Sequence, residues 1–560
     1  MPAKELNPPG FSSVLHKLKY NYTTEAQDQI IELLKKNSSR PFQNGGITKK
    51  YHDELLYLLA YPANEEIGQL AYKELYRILK EITENKKLKD KLFNSGIAGT
   101  SLAGSFSYTL NLWLVKHFSD TATLFSVDGN KEELMQLLNV TLSAVEKEML
   151  SEEKMTLMKW KNIFAGKNKK DHLCFLLQQT ASLGKDLSER EAIFEIFKIN
   201  TQVTLQKDLP VLTLDDSGKN PGYFHTKGLN RNIKLAEIYS QKEIIPVPLT
   251  KKEKKALINT ARNTLLTFFK ETDPFTFVSN YETELFDMGK GIHVALYYMI
   301  TEKKLALESY VGYLLFKNRV PIAYGGGWLL NRQCRFGINI LPAFRGGESA
   351  NIIGQMMRLY SHHFNSTSFV VEPYQLGKGN AEGINSASFW FYYKLGFWPQ
   401  QESLSTLAAN EFNKLLSDPD HRTPAAILKK LSNAVMTWSS GKGKKDIYYD
   451  INKISERITA AICNNYQNNR NKARKEIKKK FKLNGVNIPF FILLLIDSCN
   501  EADNWKLAEL AALGSVFKLK NRNEHAAVLK LQKQKKILNL LHRATYISPP
   551  GSQPGKLKLT

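Results

Sequence analysis

The segment Ile338-Asn339-Ile340-Leu341-Pro342-Ala343-Phe344-Arg345-Gly346-Gly347-Glu348-Ser349-Ala350 gathers the residue types that hold an anion. An apolar run stops at Pro342, a glycine-containing turn follows, and a helical pattern begins near Ser349. A helix N-terminus presents unpaired N–H groups and a partial positive charge. Glycines let that backbone approach a ligand closely, so the turn suits a pyrophosphate, and Arg345 can add a charge-assisted bond. Glu348 lies inside the turn. There a carboxylate would either repel a diphosphate or, as an acid at the helix start, favour the dipole. Further along, Asn385-Ser386-Ala387-Ser388-Phe389-Trp390-Phe391-Tyr392-Tyr393-Lys394-Leu395-Gly396-Phe397 reads as an amphipathic helix that stops at a glycine and runs into an apolar residue. Tyr392 and Tyr393 place two phenols there, a group chemically able to donate a proton.

These segments need a frame. Val294–Ile300, Val311–Phe316, Val320–Leu330 and Phe336–Leu341 are rich in β-branched and aromatic residues, with Asn318-Arg319 where a hairpin turn belongs. Gly325-Gly326-Gly327 inside one of these runs predicts a bulge or a close approach to the backbone. A helix follows over about Ser349–Phe364, then a strand at Phe369–Val371, then the helix from Asn385, then a strand from Phe397. Residues 290–400 therefore read as β-β-β-α-β-α-β, a mixed sheet flanked by helices. Upstream, Thr250 and Glu253 have the capping-box spacing for a helix through Phe268. Residues 24–210 carry mostly helical spacing, with Gly96, Gly99 and Gly104 read as turns and close packing. Asp215–Gly222 reads as a linker. Thr423-Pro424 reads as an N-cap with proline at the first helical position, and Ser439–Lys445 as a flexible basic linker. The expected fold class is multidomain α+β: an extension at 1–23, a mostly helical region at 24–240, the mixed-sheet domain at 250–400, a helical extension at 401–440, a basic helical region at 446–545 and a disordered tail at 546–560.

The order strand, Arg-Gly-Gly turn, helix, strand, helix resembles the GNAT superfamily of acyl-CoA N-acyltransferases over roughly residues 290–400, with a weaker extension to 250. The family's pyrophosphate loop follows Gln/Arg-x-x-Gly-x-Gly/Ala. Arg345 matches its first position and Ala350 its last, while Glu348 stands where glycine is usual. The family's later helix has an asparagine seven residues before a tyrosine and ends in Tyr-x-Lys-x-Gly-Phe. Asn385, Tyr392, Lys394, Gly396 and Phe397 match, with Ser388 replacing the usual alanine. The resemblance implies an acetyl-CoA or other acyl-CoA donor and an amine acceptor, either a small molecule or a protein. Its pyrophosphate would be held by Arg345, Gly346, Gly347, Ser349 and Ala350, with Asn385 also at the cofactor. Backbone groups of Asn339, Ile340 and Leu341 would pair with the pantetheine arm in a gap beside the Phe369–Val371 strand. Tyr392 would be the general acid for the departing thiolate, with Tyr393 as rival, and Glu372 the general base. Asn339 and Tyr374 would line the acceptor pocket.

The remainder of the sequence sets limits. At 560 residues the chain exceeds one core. The net charge is +24, and about 24 basic against about 9 acidic residues lie in 441–560. That skew fits a nucleic acid or other polyanion as a partner for this region, or a solvated surface. Cys174, Cys334, Cys463 and Cys499 form no CxxC pair, which argues against a zinc site or disulfide scaffold. No metal is expected. Met1-Pro2-Ala3-Lys4-Glu5 lacks an apolar signal region, and the apolar run Ile488–Ile496 is about half a membrane span, so a cytoplasmic protein with no membrane insertion is expected. Two further readings keep the same fold: an aminoacyl-tRNA-dependent transferase, and a non-catalytic interaction module.

Overall fold

The structure, a computed structural model, describes residues 8–152, 159, 162–163, 165–206, 222–241, 244–441, 448–481 and 488–546. It is a mixed α+β fold with two sheets. The smaller sheet is antiparallel and joins β1 (Ser101–Ser105), β2 (Thr123–Val127) and β3 (Ile199–Thr204) in the order β1-β3-β2. The 24–240 region, read as mostly helical, thus contains strands as well. Their signal is short: only β3 alternates cleanly, burying Ile199, Thr201 and Val203.

The larger sheet holds β4 (Ile245–Val247), β5 (Glu284–Gly289), β6 (Ile292–Tyr297), β7 (Ser309–Lys317), β8 (Val320–Leu330), β9 (Gln333–Ile340), β10 (Ser368–Val371), β11 (Trp398–Pro399) and β12 (Met436–Ser439). Its order is β11-β12-β10-β9-β8-β7-β6-β5-β4. Every pairing is antiparallel except β9 with β10. β4 and β12 belong to this sheet although both lie outside 250–400. Asn318 and Arg319 turn β7 into β8 with φ of 46° and 69°, the positive pair that a primed two-residue hairpin demands.

Gly325, Gly326 and Gly327 pair in unbroken register with β7 and β9, and the irregularity lies instead at Leu315/Phe316. Close approach explains all three glycines. A Cβ on Gly325 would strike the Tyr313 phenol and the Gly337 carbonyl, one on Gly326 the Tyr310 ring, and one on Gly327 the Tyr360 ring.

The helix Ser349–Phe364 forms where the spacing predicts it and ends at Asn365 in the left-handed region. It covers one face of the sheet, and Tyr360 Oη donates to the Val311 carbonyl at 3.1 Å. The helix Lys251–Thr267, with its Thr250/Glu253 capping box, covers the other face, where Tyr297 Oη donates to the Leu257 carbonyl. The helices between residues 8 and 97 bury Leu55, Tyr57, Leu59 and Ile67 in one apolar cluster continuous with the sheet.

The helix read over Asn385–Phe397 is broken. It forms as Ala381–Asn385 and Ser388–Lys394, separated at Ala387 with φ 50°. The Asn380 side chain caps Gly383, and the Ser386 hydroxyl donates to the Glu382 carbonyl, so local side-chain bonds compete with helix continuation. Pro424, rather than Thr423, caps the next helix, because the Thr423 hydroxyl accepts the Trp390 indole N–H. Ile488–Ile496 forms most of a buried helix, Phe490–Ser498. Most of the Asp215–Gly222 linker, residues 442–445 of the basic linker and nearly all of the 546–560 tail lie outside the described residues. Among the described residues, no helix is long and apolar enough to cross a membrane.

Candidate active site

β9 and β10 pair at only three positions, from Gln333↔Ser368 to Arg335↔Val370. β9 then runs on to Ile340, while β10 stops at Val371 and the chain bends into a short helix, Pro373–Leu376. Two parallel strands thus part. At the parting a cavity of about 460 Å³ opens on the face that carries the Lys251–Thr267 helix. Gly337, Asn339, Glu372, Tyr374 and Gln375 line it, so three of the residues expected from sequence meet here. Gly337 has no side chain because the Gln375 amide lies against it.

The cavity has an aromatic wall and a charged end that sequence reasoning did not find. Tyr310 and Trp328 stack with centroids 4.1 Å apart and planes 9° from parallel, flanked by Tyr324 and Phe336. Arg335 Nη2 donates to both Glu308 oxygens at 2.7 and 2.6 Å, and its Nη1 donates to Glu372 Oε1 at 3.2 Å. Burial pushes the Glu308 carboxyl up, against the opposing pull of Arg335. A charge inside an apolar strand was a visible signal for Arg335. Its partner Glu308, 27 residues earlier, was not.

On the opposite face, the anion turn leads into the Ser349–Phe364 helix. Arg345 and Gly346 are exposed, with Gly346 at φ 80°, while Gly347 and Glu348 are buried. The Glu348 carboxylate is turned inward. Its Oε1 accepts the Asn230 backbone N–H at 2.7 Å and its Oε2 accepts from Lys317 Nζ at 3.2 Å. It makes no cap bond to the helix. Glu348 stands at the N-cap position, the helix start that the sequence predicts for it, and is also half of a buried ion pair behind the turn. The outer side of the turn is also held. Tyr20 Oη donates to the Arg345 carbonyl and Arg231 Nη2 to the Gly346 carbonyl, while Tyr61 packs on Gly347. Arg345 itself pairs with Glu382 at 2.5 Å, and both side chains are exposed. Ser349 and Ala350 are half-buried in the first turn of the helix.

Tyr392 and Tyr393 have separate surroundings. Tyr392 is buried against Phe391 and Phe397. Tyr313, whose phenol donates to the Gly337 carbonyl at 2.9 Å, is pushed well above the usual range by burial, with Tyr392 adding to it. Burial pushes the Tyr392 phenol well above the usual range. Tyr393 instead packs among Phe389, Trp398 and Phe412. Tyr392 is not among the cavity-lining residues. Asn385 is exposed at the end of its short helix, and the structure does not bring it to the cavity.

His225 lies 4.0 Å from Glu348 and is buried. Burial, with Lys317 adding to it, holds its imidazole down at about 4. The folded protein keeps this imidazole neutral, whereas the unfolded chain takes up a proton below about pH 6.5. Stability is therefore expected to fall by up to about 3 kcal/mol as pH drops from about 6.5 to about 4, and then to level off in this contribution. Urea titrations across that range measure the fall, and His225→Asn should flatten it.

Among the described residues, no group of three or more His, Cys, Asp or Glu could hold a metal ion. Comparison with protein families, with curated proteins and with solved structures finds no match to this chain.

Proposed function

We propose that the protein is a GNAT-type N-acyltransferase that moves an acyl group from acyl-CoA to an amine. The observation that carries this reading is the parting of the parallel strands β9 and β10. They are joined through the anion turn and the Ser349–Phe364 helix, and a cavity lies at the gap. The pyrophosphate would rest on the turn at Arg345–Ala350, and the acyl end would reach the gap beside Gly337. The pairing of Glu348 with Lys317 behind the turn supports this placement, because the carboxylate then has a counter-charge.

In the reaction the amine nitrogen attacks the thioester carbonyl carbon and a C–N bond forms. The tetrahedral intermediate collapses, the C–S bond breaks, and CoA leaves as a thiolate that takes up a proton. The proton lost from nitrogen passes to Glu372 or to water beside it. Tyr392 would donate to the thiolate. Burial raises its proton affinity, so the phenol stays protonated and acts by hydrogen-bonding the departing sulfur, which takes its proton from water. The test is thiol release by the full chain with acetyl-CoA and a panel of amines. One thiol per amide supports the reading, and no release above the amine-free rate refutes it.

One observation favours a donor carried on RNA. On the helix Arg470–Lys480 only Ala473 and Ile477 are buried, leaving Arg470, Lys472, Arg474, Lys475, Lys478, Lys479 and Lys480 exposed. If this surface makes six or more phosphate contacts, RNA affinity is expected to fall about 10³-fold between about 50 and 200 mM salt. Filter binding across that range checks it, and a flat salt response removes this reading.

A further inference from the structure

We infer that the acceptor taken by the β9–β10 cavity is a primary amine on an aromatic stem, and that acceptors bearing a carboxylate beside the amine are rejected. This rests on the acyltransferase reading for its chemistry but on the cavity alone for its recognition.

Three features of the cavity point the same way. The first is its wall. The stacked Tyr310–Trp328 pair stands on the sheet where Gly326 leaves room for the Tyr310 ring. Tyr324, Phe336 and Tyr374 complete an apolar slot, and its volume of about 460 Å³ is that of a small-molecule site. Flat aromatic surfaces favour a flat aromatic guest through offset or edge contacts, which a thin alkyl stem cannot make.

The second feature is charge. Arg335 lies between Glu372, which lines the cavity, and Glu308 behind it, where Lys520 adds positive charge, so Glu372 is the carboxylate that the cavity presents. That carboxylate attracts an ammonium, and the exposed ring of Tyr374 adds cation–π attraction, while Trp328, covered by Tyr310 and by Arg335, serves as wall. The third is the state of Arg335. Its Nη2 is committed to both oxygens of Glu308 and its Nη1 to Glu372, so the one cation among the described residues lining the cavity is already paired. Among the described residues that line the cavity, a substrate carboxylate entering here would meet Glu372 with no free positive group to receive it, and that penalty is the basis of rejection.

Calorimetric titration of the full chain, without acyl-CoA, tests this with four probes: phenethylamine, butylamine, phenylalanine and phenylpropanoic acid. Phenethylamine is expected to bind about tenfold or more tighter than each of the others. Trp328→Ala should weaken phenethylamine about tenfold and leave butylamine nearly unchanged. Tyr374→Ala removes an exposed ring, so it tests the slot without disturbing the core. It should shift the same preference in the same direction. Equal binding of both amines, tighter binding of either acid, or no binding of any probe at millimolar concentration would overturn the inference. Thiol release from acetyl-CoA separates it from the function it rests on. Selective amine binding without thiol release refutes the transferase and leaves the site. Thiol release that ignores the aromatic stem refutes the site preference and leaves the transferase.

Discussion

Replacing Lys317 by methionine is expected to remove about 3–5 kcal/mol of stability, the largest effect of any single substitution considered for this protein. Lys317 and Glu348 are both almost fully buried, with the ammonium 3.2 Å from the carboxylate. Burial pulls the Lys317 ammonium toward neutrality and Glu348 holds it charged. The surroundings are the Tyr61 and Tyr223 rings, both within reach of the ammonium. Removing the lysine leaves the carboxylate with the Asn230 N–H and a His225 imidazole 4.0 Å away that is neutral above about pH 4 in the intact pair. Removing both charges, as Lys317→Met with Glu348→Gln, should recover most of the loss, since a buried pair replaced whole is often near neutral. Urea unfolding of the two single variants and the double variant measures this. A loss below about 1 kcal/mol for Lys317→Met would show that the pair does not hold the turn in place.

Tyr392→Phe is expected to lower turnover by about 10²-fold while acetyl-CoA affinity stays nearly constant. The ring would still pack on Phe391 and Phe397, so the fold has little reason to change. What disappears is the buried Tyr392 hydroxyl. Steady-state kinetics separate kcat from KM for this variant. Tyr393→Phe is the internal control, because that ring packs toward Trp398 and Phe412 instead. Unchanged turnover in Tyr392→Phe would take the residue out of the chemistry, and an equal loss in Tyr393→Phe would mark both as packing residues.

The sequence was most legible where local rules decide the outcome. The Asn318-Arg319 turn, the Thr250/Glu253 capping box and the Ser349–Phe364 helix each follow from a few neighbouring residues. Legibility failed where distant partners decide. Glu348 looked like a ligand-facing or helix-capping acid because Lys317, on β7, and Asn230, on a segment before the sheet, cannot be placed beside it from spacing alone. The three glycines of β8 showed that something comes close, but not that tyrosines from β7 and from the Ser349–Phe364 helix are what come close. The helix break at Ala387 was hidden because it goes with side-chain bonds of Asn380 and Ser386 to the backbone, which spacing does not show. The short strands β1–β3 were hidden inside helical flanks. Asn339, Glu372 and Tyr374 were proposed as neighbours from a resemblance, and they line one cavity.

The most direct test of the central claim is a titration of the full chain with acetyl-CoA, read as heat and as thermal stabilisation. If the turn at Arg345–Ala350 and the gap between β9 and β10 form a donor site, heat is expected on mixing, with a rise in Tm that grows with ligand concentration. No heat and no change in Tm at millimolar acetyl-CoA would contradict the account.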